Sequence, residues 1–257
     1  MQDELVLSPI SGLKNSIAFL TIFPVGMDAD GVAQAASYMP LFPFIGALIG
    51  LIVGIGVWLL EMIFPQLLSA MIGMALLLLI NGVQHMDGLL DFGDGLMFHG
   101  SRSEKLRVMR DPTTGAGGFA LGAVILLVTV FSIAAIPSAF IVLSLTASEA
   151  SAAFAMVLAT AVGKSAHKGM NTIFVEAMHR RRALRLTISC VSTLAVSYLA
   201  WRAAGLIVVA GAVVTAFLLV AISNRHFGGL TGDMLGATNE IARSVSLLLA
   251  LGILKWA

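Results

Sequence analysis

Long apolar runs separated by short polar stretches divide this chain. Leu13 to Val25 (LKNSIAFLTIFPV) is apolar over only about 13 residues, too few to cross a bilayer, and reads as an interfacial or re-entrant element closed by Pro24. Asp28 to Ala36 reads as a polar link. The first membrane span is expected at 41–64, where Gly46, Gly50 and Gly54 form two overlapping GxxxG pairs suited to close helix packing. Pro65 and Gln66 connect it to a second span at 67–84. Spans three and four, 119–136 and 138–162, meet at Pro137, and spans five and six fall at 186–201 and 205–223. The last, 244–256, is short unless Ile241 and Ala242 contribute. The pattern predicts an all-α polytopic membrane bundle of about seven spans plus the short N-terminal element, forming one domain over the whole chain.

Composition agrees. The chain has 257 residues, 58% hydrophobic and 11% charged, with a mean hydropathy of +0.97, whereas soluble domains carry about 25% charged residues. A net charge of +1 carries no nucleic-acid signature. The single cysteine, Cys190, lies in an apolar run and reads as a packing residue. Met1 to Glu4 is acidic, and no long apolar run follows directly, so no cleavable signal peptide is expected.

Charge placement adds a topology. The polar segments 85–118, 163–185 and 224–243 hold nearly all the basic residues, while the opposite connections hold almost none apart from Arg202. The positive-inside rule makes those three segments cytoplasmic and puts them on one face of a cell membrane.

The chemistry concentrates on that face. In NGVQHMDGLLDFGDG (81–95), Asp87, Asp91 and Asp94 are spaced i, i+4, i+7 and fall within about 40° of one another on a helix. Three carboxylates on one face beside His85 repel unless a cation lies between them, and Mg²⁺ takes oxygen ligands while sharing its shell with phosphates. The plainer alternative is a polar helix end wetted by the membrane interface. Residues 115–118 are all glycine or alanine, so backbone N–H groups there could face a phosphate, although such a turn is more often only a turn. In the third segment, Asp233 and Glu240 are spaced i, i+7 with Thr231 and Asn239 nearby. They read either as a second metal or substrate face or as the capped start of the last helix. Glu149, inside the fourth span, is a functional candidate by default or a partner in helix packing, and is left outside the site.

Taken together, FLTIFPV (19–25), FPFIGALIG (42–50), HMDGLLDFGDG with the following MRDPTTGAGGFAL, and GGLTGDMLGATNEI (228–241) resemble the cobalamin synthase family over essentially the whole chain. The resemblance implies a Mg²⁺-dependent membrane enzyme late in vitamin B12 synthesis. Such enzymes join adenosylcobinamide-GDP to α-ribazole or its 5′-phosphate and release GMP. On that basis Asp87, Asp91 and Asp94 would hold Mg²⁺, and Arg110, Lys164 and the Gly115 turn would meet phosphate oxygens. His85, one of the acids or Asp111 would take the proton of the ribazole hydroxyl, while Asp233, Asn239 and Glu240 would hold a second ion or substrate hydroxyls. The chain departs from the family in two places. Pro112, Thr113 and Thr114 stand where RDSRxG is usual, and Gly163-Lys164 stands where a Ser-Arg pair is common. Lysine keeps the charge but loses the bidentate fork of arginine. Two rivals are weaker. A CDP-alcohol phosphotransferase would need DG-x-x-A-R, absent after Asp87-Gly88, and a cation transporter would place its acids near mid-membrane rather than at span ends. The GxxxG faces would also allow packing between subunits in a homo-oligomer.

Overall fold

The computed structural model describes residues 8–256, so the acidic Met1 to Glu4 lies outside the described residues. These fold into twelve α-helices: α1 (Pro9–Leu20), α2 (Gly31–Ser37), α3 (Phe42–Glu61), α4 (Gln66–Ile80), α5 (Gln84–Met97), α6 (Arg102–Val108), α7 (Ala116–Ala135), α8 (Ser138–Val162), α9 (Met170–Arg180), α10 (Arg182–Trp201), α11 (Gly205–His226) and α12 (Gly232–Trp256). The described residues contain no strand, only an isolated bridge between Ser165 and Leu230.

Helix α8 is the mast of the bundle. Every residue from Ala147 to Ala161 is buried, nearly all of them small or aliphatic, and α3, α10, α11 and α12 pack around it. The glycines of α3 explain how one neighbour comes so near. A methyl group at Gly46, Gly50 or Gly54 would lie less than 3.0 Å from backbone atoms of Glu149, Leu145 and Val142. The GxxxG face is therefore covered from within the chain, by α8.

Among the described residues, five helical stretches are long and apolar enough to cross a membrane, or six if the bent pair α4–α5 counts as one. One of the five, Arg182–His226, is a run of 45 residues that turns at Arg202 into α10 and α11, which pack on each other. Counting its halves separately accounts for the expectation of about seven. The helix α1 is not among these stretches, in keeping with its short apolar run.

Several polar segments are more ordered than their composition implied. The expected link 28–36 contains α2, whose Gln34, Ala35 and Ala36 are buried. The segment 98–118 contains α6, started by a reciprocal Ser101–Glu104 capping box, and 163–185 contains α9. Lys105, one of the basic residues counted in that segment, is buried. It donates to the carbonyls of Gly95, Leu96 and Phe98 at 3.1, 3.0 and 2.6 Å, where a cation complements the C-terminal end of α5. Most of the third polar segment is helix too, because α12 starts at Gly232, so the last helix is longer than the apolar run 244–256.

The second apolar run does not continue straight into the aspartates. Gly82 and Val83 both have positive φ, 61° and 62°, and α5 leaves α4 at 92°. Left-handed geometry is natural for the glycine and unusual for a β-branched valine. A backbone bond from Ile22 N–H to the Ile80 carbonyl, 2.8 Å, braces the corner.

Candidate active site

The corner delivers α5 against α12, and two glycines set how near the helices come. A methyl group at Gly88 would lie 2.7 Å from the carbonyl oxygen of Asp233, and one at Gly236 would lie 3.0 Å from the Cα of His85. The acids of the two helices therefore face one another. Asp233 is the strongest charge acting on Asp91, followed by Asp87 and Asp94. Asp87 is exposed, whereas Asp91 and Asp233 are partly buried. Thr231 donates to Asp233 at 3.2 Å, and His167 and Arg110 act on the same carboxylate with opposite sign to Asp87. Like charges gathered at one place repel, so this group favours positive charge from outside the α5–α12 pair.

Among the described residues no three His, Cys, Asp or Glu side chains converge into a ready-made metal cage. The donors nevertheless fit Mg²⁺ in kind. Asp87, Asp91 and Asp233 offer hard carboxylate oxygens, and Mg²⁺ commonly takes only one or two carboxylates, completing its shell with water and substrate phosphates.

Asp94 has a further engagement. Its carboxylate accepts the backbone N–H groups of Gly115 at 2.6 Å and Gly118 at 2.8 Å, anchoring the first turn of α7. Two N–H groups of the glycine-rich turn are thus directed to this aspartate. The turn also packs closely, since a methyl group at Gly93 would lie 3.0 Å from the Gly117 carbonyl. Asp111 stands in an exposed turn and accepts from the backbone and hydroxyl of Thr113, which hold its carboxyl below the usual range. Arg110 and Lys164 are exposed. The main chain at Lys164 to Ala166 pairs with Leu230, at 2.7 and 2.8 Å, and Asn171 donates to the same Leu230 carbonyl at 3.0 Å. All three polar segments are thus joined at one end of the bundle.

A cavity of about 220 Å³ opens beside the acids. Asp87, Asp233, Gln84, His85 and Asn171 supply its polar groups, and phenylalanine and methionine side chains supply most of the rest. The Nδ1 atom of His85 is buried without a hydrogen-bond partner.

Behind His85 lies a group that sequence reasoning reached only in part. Arg243, fully buried, donates to both oxygens of Glu149, to Glu240 and to the Asn239 side-chain oxygen, the last at 3.1 Å. Glu240 and Asn239 therefore spend their oxygens on this guanidinium inside the bundle, and neither lines the larger cavity. Glu149 is thus a partner in helix packing, through the charge of Arg243. The available signal was a pair of opposite intramembrane charges, but 94 residues separate Glu149 from Arg243.

Fold and site together define a class: a multi-pass helical membrane protein with an acidic cleft at one end of its bundle. Residues 12–251 match the family described as Cobalamin-5-phosphate synthase. An adenosylcobinamide-GDP ribazoletransferase of Methanococcoides burtonii is 33% identical over 246 residues, covering 92% of this chain and 90% of the relative. One from Methanocella arvoryzae is 32% identical over 273 residues, covering 96% and 97%, and one from Methanosarcina mazei is 30% identical over 266 residues, covering 96% and 94%. No solved structure matches. The chain belongs to the cobalamin synthase family, and it is a transferase of cobalamin biosynthesis.

Proposed function

We propose that this enzyme transfers the adenosylcobinamide-phosphate group of adenosylcobinamide-GDP to a free ribose hydroxyl of α-ribazole, or to the same hydroxyl of α-ribazole 5′-phosphate, releasing GMP. The acid row of α5 facing Asp233 of α12 at a cavity mouth carries this reading, together with the ribazoletransferase activity for which the relatives are named. The acceptor oxygen attacks the phosphorus on the cobinamide side of the diphosphate, the bond to the bridging oxygen breaks, and GMP leaves. Such transfer asks mainly for positioning and charge neutralisation.

Asp87 and Asp91, with Asp233 across from them, would hold Mg²⁺. When bound, the ion would supply the positive charge that screens the diphosphate and the leaving phosphate. Arg110 and Lys164, at the same end of the bundle, are free in charge to meet phosphate oxygens as the substrate docks. His85, which lines the cavity beside Asp87 and Asp233, would take the acceptor proton on its neutral imidazole. The basic residues of the three polar segments support a cytoplasmic face for the reaction, by the positive-inside rule.

The test is turnover by purified, detergent-solubilised protein given both substrates and Mg²⁺, following GMP and corrinoid product. Product should form and be lost on adding EDTA and in Asp91→Ala, while Asp91→Ala still reaches the membrane. Near-normal turnover in either control would remove the metal assignment, and no product from wild type with both acceptor forms would remove the reaction.

A further inference from the structure

Resting on that reading, we infer that the cavity beside the acids is the seat of the acceptor nucleoside, with its aromatic base held among Phe19, Phe42 and Phe174 and its ribose directed toward Asp87, His85 and Asp233. The three rings come from separate elements, α1, α3 and α9, yet form one cluster, with Phe19 centred 4.8 Å from Phe174 and 6.1 Å from Phe42. Phe42 and Phe174 are almost entirely buried, and all three line the cavity. The polar groups come largely from elsewhere: α5 gives Gln84, His85 and Asp87, and the first turn of α12 gives Asp233. A ligand satisfying both halves has a flat apolar end and a hydroxylated end. A ribonucleoside of a benzimidazole-type base has that shape.

Size and chemistry exclude the other candidates. At about 220 Å³ the cavity is smaller than the roughly 300–1,000 Å³ of drug-sized pockets, and a corrin macrocycle does not enter it. Guanine would fit by size, but seated among the three rings it would set its donors and acceptors against phenylalanine and methionine, at a substantial desolvation penalty. A benzimidazole presents only its ring nitrogens, one of them already bonded to the ribose. Met39, Met156 and Met170 complete the apolar wall, and their flexible thioethers adapt to bases of differing outline. At the opposite end, His85 lines the cavity together with Asp87 and Asp233, where the ribose hydroxyls would lie. The seat thus aligns the nucleophile with the acid row.

Steady-state kinetics on the full chain in detergent test this, with Phe174→Leu and Phe19→Leu beside wild type and direct titration of α-ribazole in the absence of donor. A lost base–aromatic stack should raise KM and Kd for α-ribazole about tenfold, leaving KM for adenosylcobinamide-GDP and kcat within about twofold. If wild type turns over but the donor KM shifts instead, or neither KM moves, the seat is wrong while the reaction stands. Guanosine competing with α-ribazole in wild type, and losing that competition in the variants, would assign the cavity to the leaving nucleotide and overturn the proposal. If wild type shows no turnover yet binds α-ribazole tightly and the phenylalanine variants bind it about tenfold less well, the seat survives and the reaction falls. Leucine retains apolar bulk, and retained kcat in the variants reports that they fold.

Discussion

Gly88 fixes the distance between the two acid-bearing helices, and replacing it with alanine isolates that distance as a variable. A methyl group there would meet the Asp233 carbonyl oxygen at 2.7 Å and its Cα at 2.8 Å. Both obstacles are backbone, so no side chain can swing aside. Reaching ordinary contact at 3.4 Å requires α5 and α12 to part by ~0.7 Å, and overpacking of this kind typically costs about 1–3 kcal/mol. The displacement falls on the helices that carry Asp87, Asp91 and Asp233, and misplacement of ~1 Å can cost about 100-fold in rate. Gly88→Ala should therefore lower kcat by about 10- to 100-fold while the protein still elutes as a folded species in detergent. Two relatives grade the effect. Gly236→Ala meets the His85 backbone at 3.0 and 3.1 Å and should be milder. Gly252→Ala, inside the same α12 with nothing within 4 Å, should match wild type in rate and melt no lower, because alanine favours a helix over glycine. Measured GMP release and thermal unfolding for the three variants decide the matter. Wild-type kcat in Gly88→Ala, or equal losses in all three, would refute the argument from helix separation.

Three further outcomes are expected. Arg243→Met leaves Glu149 and Glu240 buried without their cation and should destabilise the protein by about 3–5 kcal/mol; the triple variant that also carries Glu149→Gln and Glu240→Gln should recover much of it by thermal unfolding in detergent, and a failure to recover would show that packing rather than charge is at stake. Asp94→Asn weakens the double anchor on Gly115 and Gly118 and should reduce stability by about 1–3 kcal/mol; a shifted Mg²⁺ requirement in the same variant would add a metal role, and an unchanged requirement would limit Asp94 to holding α7. Asp28 is held at a pKa of about 2 by hydrogen bonds from Lys14, then Asn15 and Ser11. A lowered native pKa stabilises above the ordinary value of 3.8 and loses that contribution as pH falls through about 2. Asp28→Asn should therefore lower the melting temperature near neutral pH and converge with wild type near pH 2, and parallel curves would contradict the assignment.

The features that rest on local spacing could be read from the chain. Asp87, Asp91 and Asp94 share a face because the helical period puts them there, and the same holds for the α3 glycines, although spacing could not say that the glycine face meets α8. Features that depend on distant partners were not readable. Glu240 and Asp233 have the spacing of a common face, yet Arg243 draws Glu240 into the interior while Asp233 stays at the cavity. Lys105 looked like a loop cation, and only the return of α6 onto the end of α5 buries it. The 92° corner was hidden for another reason. Asn81-Gly82 does mark a turn, but the angle is made by backbone torsions at Gly82 and Val83, and nothing in the residue spacing fixes its size. The aromatic seat was invisible because its rings come from α1, α3 and α9, each of which reads alone as ordinary apolar helix.

The ion cluster around Arg243 also imposes an order on the making of the protein. Glu149 is synthesised 94 residues before the arginine that neutralises it. At about 5–20 residues per second, a growing chain carries that acid without its partner for roughly 5–20 s. During that interval α8 cannot settle as a fully apolar neighbour of the lipid, and its acid must stay near water or bear a proton. Delivery of α12 then brings in the missing cation together with the other half of the acidic cleft. The last helix made both completes the interior and admits the polypeptide to its working form, so a chain that stops short of it has neither.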